Sequence, residues 1–332
     1  MARIFAYILH KAGVADDSAA ELALAAKAID PTASPTAIVT GSGAELDAVC
    51  TTLCDCYGEI WKIANDALAY PNAELVRQAL VTVLPRGSIV LVPHDHFGID
   101  LSPGLSVKMN AAFVSDVLGI NGVEGSALKV VRQEFGGQVS THVRCNISSG
   151  AVINVRPGSF KPTVSAAVNG TVVDKSVEVG TLSAKRRYLQ TVVAETGDVD
   201  ITKQDILVSV GRGIQDADNV TIAQDLADAL GAAVSCSRPV VDAKWMEKSR
   251  QVGTSGQTVK PKIYMACGIS GAFQHLAGIK GDPLMIAINK NPKAPIFQVA
   301  DVGIVTDMLE FLPTLTDKIR EARSASAKAG SR

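Results

Sequence analysis

Short apolar runs rich in β-branched residues alternate along this chain with longer stretches rich in alanine and leucine, and this alternation constrains the fold most strongly. Strands that are covered on both faces have short, continuously apolar sequences, whereas the helices that cover them have amphipathic sequences. The pattern is therefore typical of βαβ units around a parallel sheet. In the first part of the chain it predicts strands over residues 4–9, 37–40, 59–63 and 88–92 and helices over 18–29, 44–53 and 72–84.

The sequence pattern changes after about residue 125, where strand-forming residues cluster without helical stretches between them. Residues 128–135, 138–145 and 151–155 predict an antiparallel extension of the first sheet. Residues 172–179 and 188–195 predict further extended segments. The polar stretch 195–200 then indicates a domain boundary, which we place near residue 198.

Beyond this boundary the alternation of strands and helices resumes, which predicts a second domain with a parallel sheet. The α/β fold class thus holds for both halves, with domains over residues 1–198 and 199–323. Residues 324–332 contain no apolar stripe and predict a flexible tail. The predicted elements are strands over 206–210, 232–235, 262–267, 284–288 and 303–305 and helices over 217–230, 272–277 and 307–323.

Composition excludes several classes of protein. The net charge is −1 from 32 basic and 33 acidic residues, and only 5% of the 332 residues are aromatic, which argues against a nucleic-acid partner. The apolar runs fall short of the roughly 18 residues that a membrane helix needs, so we expect no integral membrane protein. The first residues carry no secretion-type cleavage site, and six cysteines are too few for a disulfide scaffold, which together predict a cytoplasmic location.

Glycines and small polar residues follow the predicted strands of the second domain. They occupy residues 211–213, 236–239, 268–271 and 289–291. Ligands of an open parallel sheet bind beyond the carboxyl ends of its strands, so these four loops are expected to converge on one ligand.

The third loop is the most informative, because it leaves a strand and enters a helix containing Gln274 and His275. Free backbone amides at such a helix start suit a phosphate; the alternative is an ordinary turn with a surface histidine. The convergence of four loops favours the ligand. Arg212 and Arg238 follow strand ends, where an arginine clamps phosphate, lies against a ring or is merely solvated. The donors together suit a nucleotide or a flavin.

Two weaker signals lie in the first half. Gly41-Ser42-Gly43 follows a strand and opens a helix, but Leu46 stands where a dinucleotide fingerprint needs a third glycine, which favours a plain tight turn. His94 and His96 have the spacing of two metal ligands on one strand face, but no third ligand is close in sequence, which favours a polar loop.

Several longer motifs resemble the signature of the electron transfer flavoprotein alpha subunit. The resemblance covers essentially the whole chain, including VINVRPGSF at residues 152–160 in the first half. In the second half it rests on VSVGRG at 208–213, SRPVVD at 237–242, VG at 252–253, IYMACGISGAFQHLAG at 263–278, AINK at 287–290 and APIFQVAD at 294–301.

The resemblance implies an N-terminal domain like the nucleotide alpha hydrolases, placed at a subunit interface, and a C-terminal domain that binds FAD. Matched motif by motif, it implies a common set of cofactor-binding residues and no catalytic or metal-binding residue. The set is Arg212, Ser237, Arg238, Val252, Gly253, Thr254, Ser255, Ser270, Gly271, Ala272, Phe273, Gln274, His275, Asn289, Asp307 and Met308.

The resemblance also implies individual roles. Arg238 is expected beside the isoalloxazine ring, His275 on its C2 carbonyl and the Ser255 hydroxyl near N5. Reduction puts negative charge over the N1 and C2 region, which fixed donors stabilise. The family commonly has the sequence VGQTGK where residues 252–257 of this chain are VGTSGQ. The glutamine donor and the positive charge of the lysine are therefore missing, so the redox potential of the flavin stays an open question. Phe273 replaces a smaller aliphatic residue, and we interpret it as core packing.

As implied by the resemblance, the chain pairs with an electron transfer flavoprotein beta subunit that holds AMP or a second FAD. The heterodimer carries electrons from an acyl-CoA dehydrogenase-type donor to a quinone-reductase-type acceptor, as in fatty acid β-oxidation. Whether it bifurcates electrons, and whether Cys236 or Cys267 has a redox role, stays open. The alternative is a free-standing nucleotide-dependent enzyme with His275 as its acid/base group; a yellow protein that co-purifies with a second subunit favours the carrier.

Overall fold

A computed structural model describes residues 3–135, 139–160, 168–190 and 199–329, with side chains given up to residue 324. The chain divides into two units, Met1–Gln190 and Thr191–Arg332. The predicted boundary near residue 198 falls in 191–198, outside the described residues. The 1–198 and 199–323 division therefore stays a prediction.

The first unit is built on a nine-stranded sheet in the order β11-β5-β4-β1-β6-β10-β7-β8-β9. Its strands are β1 Ile4–Tyr7, β4 Thr36–Gly41, β5 Glu59–Ala64, β6 Ile89–Pro93, β7 Ala112–Glu124, β8 Ala127–Glu134, β9 Val139–Asn146, β10 Ala151–Val155 and β11 Thr171–Asp174, with a separate hairpin of β2 His10–Lys11 and β3 Val14–Ala15. Its helices are α1 Ser18–Ile29, α2 Gly43–Leu53, α3 Ala73–Val83, α4 His96–Met109 and α5 Ser176–Val179.

Alternation along β1 shows why this sheet is covered on both faces. Ile4 and Ala6 pack into one core, whereas Phe5 and Tyr7 pack into another on the opposite face. Successive side chains of a strand point to opposite faces, so a wholly apolar strand needs a layer on each side. The sheet therefore carries a hydrophobic core on both faces.

The predicted antiparallel extension is confirmed for two strands and wrong for a third. β8 pairs antiparallel with both β7 and β9. Ala151–Val155, however, lies parallel to β6 on one side and to β7 on the other. Its five buried residues require covering on both faces, which a place inside the parallel sheet supplies.

Helix α4 and strand β7 carry no sequence prediction, and residues 94–96 were interpreted as a polar loop. His96 instead begins α4, whose N-cap residue Asp95 accepts a hydrogen bond from Gly98 N at 2.7 Å. The helix contains Pro103, which obscures its helical pattern. Residues 172–179 are likewise only partly extended, because β11 gives way to the short helix α5.

A partly buried ion pair connects β7 to the end of β10. The Arg156 guanidinium donates from Nε to Asp116 Oδ1 at 2.6 Å and from Nη2 to Asp116 Oδ2 at 2.5 Å. It also donates from Nη1 to Gln133 Oε1 at 3.0 Å. The side chains of Arg156 and Asp116 are 16% and 18% exposed. Asp116 sits at φ +59°, a conformation that Asp and Asn tolerate better than most residues.

The second unit holds a five-stranded parallel sheet in the order β13-β12-β14-β15-β16. Its strands are β12 Ile206–Val210, β13 Ala233–Cys236, β14 Ile263–Cys267, β15 Leu284–Asn289 and β16 Val302–Val305, and its helices are α6 Val220–Leu230, α7 Arg238–Asp242, α8 Phe273–Leu276 and α9 Met308–Ala329. The α/β class predicted for both halves is thus confirmed. From β12 the chain goes to β13 on one side and then crosses to β14 on the other, which makes the β12–β14 boundary a topological switch point.

Helix α9 extends to Ala329, six residues beyond the predicted end at Arg323. The residues added to the helix include three alanines and a lysine, which favour helix without an apolar stripe. The flexible tail over residues 324–332 stays a prediction. Residues 330–332 lie outside the described part. None of the helices described has both the length and the apolar character to cross a membrane.

Candidate functional site

The loops after β12 and β14 meet at the switch point. Gly211 N donates to Cys267 O at 2.8 Å, and Gly213 N donates to Gly268 O at 3.2 Å. A Cβ atom on Gly211 would lie 2.2 Å from Gly268 O, so only glycine allows this approach. Two of the four predicted loops are therefore in direct backbone contact.

A tight turn over residues 252–257 packs against the segment that follows the β14 loop. Thr254 N donates to Gln274 O at 2.8 Å, and a Cβ on Gly253, at φ +137°, would lie 2.8 Å from the same oxygen. Val252 N donates to Cys236 O at 2.8 Å, which ties the turn to the end of β13. The turn thus joins the loops after β13 and β14.

The side chains and amides in this region divide into two groups. Exposed groups with donor chemistry are Arg212, Arg238, Ser255, Ser270 and Gln274. In the described part of the chain, the backbone N–H groups of Ser270, Gly271 and Gln274 have no protein acceptor. Because these donors lie on loops that contact one another, they are available to one anionic ligand.

Other predicted site residues are engaged by the protein itself. The Asn289 amide donates from Nδ2 to Ile269 O at 2.8 Å and accepts at Oδ1 from Asn291 N. Asp307 Oδ1 accepts from Leu309 N at the start of α9. Ser237, Val252 and Met308 are buried. Their part in the site is to shape its loops.

Arg238 lies on the surface with its side chain 68% exposed, and its Nε is 3.4 Å from Asp242 Oδ2 in the next turn of α7. An exposed ion pair of this kind contributes about 0–1 kcal/mol. The guanidinium can therefore turn toward a ligand at little cost.

Helix α8 spans only Phe273–Leu276, so the dipole argument for a phosphate site is weaker than the sequence suggested. The free amides of the loop are therefore the groups that suit a phosphate here. Phe273 is 38% exposed, and its interpretation as core packing is wrong. An exposed ring at this loop is a side chain that a ligand can contact.

Comparison with known proteins places these loops in a family. Residues 4–182 match the electron transfer flavoprotein domain, and residues 200–280 match the electron transfer flavoprotein FAD-binding domain. The chain belongs to the electron transfer flavoprotein family and is similar to its alpha subunits.

Alpha subunits from distant organisms share this similarity. The electron transfer flavoprotein subunit alpha of Thermoanaerobacterium thermosaccharolyticum is 36% identical over 71% of this chain and 72% of its own length. The Bacillus subtilis subunit is 36% identical over 70% of each chain. The mitochondrial subunit of Arabidopsis thaliana is 30% identical over 95% of this chain and 88% of its own. The resemblance stated from the motifs is thereby confirmed.

His275, in the loop motif shared with electron transfer flavoproteins, has both ring nitrogens within hydrogen-bonding distance of protein atoms. Nδ1 lies 3.1 Å from Val252 O, and Nε2 lies 2.8 Å from the Tyr264 hydroxyl. The residue is 7% exposed, and burial lowers its pKa to about 4. A neutral ring has one N–H, and the Val252 carbonyl requires it. The hydrogen bond from His275 to the flavin C2 carbonyl, which the resemblance implies, stays a prediction. Such a bond requires that the ring be protonated or that it lose one of these two protein partners.

The low pKa of His275 gives this electron transfer flavoprotein chain an expected sensitivity to acid. The folded pKa of about 4 lies below the unfolded value of about 6.5, so the unfolded chain takes up the proton first as the pH falls. The free energy of unfolding is expected to fall by about 2 kcal/mol between pH 7 and pH 5 from this group. Urea denaturation of wild type and His275→Gln at both pH values measures it.

In His275→Gln most of this pH-dependent loss should disappear, although the variant starts from lower stability. Exposed His142 supplies the control, because His142→Gln should keep the wild-type slope. Equal slopes in His275→Gln and wild type would show that the His275 ring is not held neutral.

The two cysteines at strand ends near the site are buried. Cys236 closes β13 and Cys267 closes β14, and burial raises the pKa of each thiol to about 12. A thiol reacts as its thiolate, which is scarce at neutral pH for such values. Burial of the two thiols therefore disfavours a redox role for Cys236 or Cys267.

Sequence reasoning missed three side chains that support the predicted residues. The Tyr264 hydroxyl donates to Ser209 Oγ and lies 2.8 Å from His275 Nε2, and Gln251 Nε2 donates to Ser255 Oγ at 2.9 Å. Hydroxyl groups at Ser209 and Tyr264 inside otherwise apolar strands were the available signal. Their partners come from other strands, so the signal did not identify a contact.

Proposed function

We propose that this chain is the FAD-carrying alpha subunit of a heterodimeric electron transfer flavoprotein, an electron carrier and not an enzyme that converts a substrate. The observation that carries the proposal is the close backbone contact between glycine-containing loops at the switch point of the second sheet. These loops lie inside the segment that matches an FAD-binding domain. Switch points are where open parallel sheets bind nucleotides.

The donor set fits FAD. A diphosphate needs N–H groups without protein acceptors, and the amides of Ser270, Gly271 and Gln274 meet that need. Arg212 and Arg238 add charge that matches phosphate or a reduced ring. The full set proposed to contact FAD is the one implied by the motifs, with Ser237, Val252, Asn289, Asp307 and Met308 placed as shaping residues.

Bound FAD would supply the ring that accepts and releases electrons. The chain's own contribution is to hold and orient it. Gln251 Nε2 donates to Ser255 Oγ, which leaves the Ser255 O–H as a donor toward a ligand. Arg238 is proposed to favour the more negative, reduced form of the ring, because a positive charge fixed nearby stabilises developing negative charge.

The partners belong to the same proposal. Residues 1–198 are proposed to face an electron transfer flavoprotein beta subunit holding AMP or a second FAD, and residues 199–323 to hold the FAD of this chain. The donor is proposed to be of the acyl-CoA dehydrogenase type and the acceptor of the quinone-reductase type, in the cytoplasm. These assignments are supported by the similarity to named alpha subunits over most of the chain.

The alternative, a free-standing enzyme with His275 as acid/base group, is disfavoured by two observations. The ring is buried with a pKa of about 4, and both its nitrogens have protein partners. An acid/base group works best with a pKa near the operating pH and with access to the substrate. His275 has neither property in this structure.

Co-expression with the beta subunit encoded in the same organism tests the proposal. We expect a yellow heterodimer with one FAD in this chain, measured by flavin absorbance and by nucleotide analysis after denaturation. One FAD plus one AMP per heterodimer supports simple transfer, and two FAD support bifurcation. A colourless monomer that turns over ATP or a nicotinamide by itself would overturn the proposal.

A further inference from the structure

Two polar side chains of the first unit, one on helix α4 and one on strand β10, are buried without a hydrogen-bond partner in the described part of the chain. Asn154, on β10, is fully buried, and neither Nδ2 nor Oδ1 of its carboxamide has a partner. Ser102, on α4, is also fully buried, and its Oγ has no partner. Polar atoms at this depth are nearly always hydrogen-bonded, either to protein or to an internal water. These three atoms therefore require a partner.

Helix α4 covers the face of the sheet to which Asn154 points. Asn154 is the register partner of Val92 in the neighbouring strand β6, so the two side chains share one face of the sheet. Val92 belongs to the same hydrophobic core as Leu101 and Leu105 of α4. The Asn154 carboxamide consequently lies in the layer between the sheet and this helix, which contacts both β6 and β10.

Gly98 brings the first turn of α4 against the end of β6. A Cβ on Gly98 would collide with Pro93 O and would lie 3.2 Å from Val92 Cγ1. Ser102 follows Gly98 by four residues, so the two residues lie on the same side of the helix. Because that side contacts the sheet next to the strand that carries Asn154, Ser102 belongs to the same buried layer.

The Ser102 hydroxyl does not bond to its own helix. A serine inside a helix commonly donates to a carbonyl of the preceding turn. Ser106, which is also buried on α4, does so, because its Oγ donates to Pro103 O at 2.8 Å. Ser102 Oγ has no such acceptor, so its hydrogen is available to a group outside the helix.

We propose that Asn154 and Ser102 bind at least one internal water molecule between α4 and β10. Water suits this site because the carboxamide and the hydroxyl each offer both a donor and an acceptor. Neither group is charged, which disfavours an ion, and complete burial disfavours a larger molecule. The site lies in the first unit and does not depend on the proposed binding of FAD.

A crystal structure of the full chain at a resolution that shows ordered waters tests the proposal. We expect density for a water within about 2.7–3.2 Å of Ser102 Oγ and of one carboxamide atom of Asn154. In solution, NMR cross-relaxation between water and the Asn154 side-chain amide hydrogens should detect the same molecule. A direct hydrogen bond between Asn154 and Ser102, with no water beside them, would overturn the proposal.

Two variants and a matched control extend the test. Asn154→Leu replaces the carboxamide with an apolar group of similar size and should abolish the water density. Ser102→Ala should weaken the water signal at the Asn154 amide by about twofold or more, because the water loses a partner. Ser106→Ala should leave that signal unchanged, because the Ser106 hydroxyl is already bonded within α4.

Ser102→Ala carries the test by itself if Asn154→Leu fails to fold. A water signal that is as strong in Ser102→Ala as in wild type would contradict a shared site. Equal losses of signal in Ser102→Ala and Ser106→Ala would also overturn the proposal, since they would follow from a general loosening of α4.

Discussion

Gly271→Ala is expected to lower the free energy of unfolding of the second unit by about 3 kcal/mol and to weaken FAD binding at least tenfold. Gly271 sits at φ +86°, and a Cβ there would lie 2.4 Å from Ile296 N and 2.6 Å from Ile296 Cα. The segment that contains Ile296 has little room to retreat, because Ile296 N donates to Ser270 O at 3.0 Å. Flavin retention and urea denaturation followed by Trp245 fluorescence measure the two effects.

Gly231→Ala is the matched control for backbone strain without collision. Gly231 ends α6 at φ +66°, and its Cβ would meet only Arg323 Nη2 at 3.8 Å. This variant should lose about 1 kcal/mol and retain its FAD, because only the left-handed conformation is penalised. Equal losses in the two variants would show that the contact with Ile296 contributes nothing to the site.

Asp116→Asn is expected to cost about 3 kcal/mol of unfolding free energy in the first unit, because it disrupts the two charge-assisted hydrogen bonds that the Arg156 guanidinium donates to Asp116. Asparagine tolerates the φ of +59° at this position, so the substitution removes charge without straining the backbone. Trp61, which is buried in the first unit, reports the transition by fluorescence.

The same ion pair predicts an acid-dependent loss of stability. Burial raises the pKa of Asp116, but the hydrogen bonds and charge of Arg156 outweigh it and hold the pKa below its usual range. The stabilisation is therefore present above the unfolded pKa of about 3.9 and is lost as the pH falls through the lower folded value. The free energy of unfolding of Asp116→Asn should not show this loss as the pH falls.

Lys129→Ala provides the comparison for an ordinary pair. Lys129 Nζ lies 2.8 Å from Glu124 Oε2 in the same sheet, but both side chains are substantially exposed. This variant should cost no more than about 1 kcal/mol. A similar small loss in Asp116→Asn would mean that the Asp116–Arg156 pair is solvated in solution.

The elements best predicted from the sequence are those whose pattern is purely local. Helix α1 and strands β10 and β12 have the predicted bounds, because an uninterrupted apolar run or amphipathic stretch ends at clear polar residues. Helix α4 was missed, because Pro103 and internal glycines break its pattern while its stability comes from packing and from the Asp95 cap.

The candidate site was partly predictable for the same reason. Glycines 211, 253, 268 and 271 stand out in the sequence, and the structure uses each for a close backbone approach. The roles of polar side chains were less predictable. His275 was read as a donor toward a ligand, yet its partners are Val252 and Tyr264. A hydrogen-bond partner from another strand leaves no local signal.

The sequence by itself determined the alternation of strands and helices, the division into two α/β halves and the loops that carry small residues, because these depend on neighbours in the chain. Only the tertiary structure decided that β10 lies inside the parallel sheet, that β12 and β14 form the switch point, and which donors are free. Strand order and hydrogen-bond partners join residues far apart in the chain, so they depend on packing and on the satisfaction of buried polar groups.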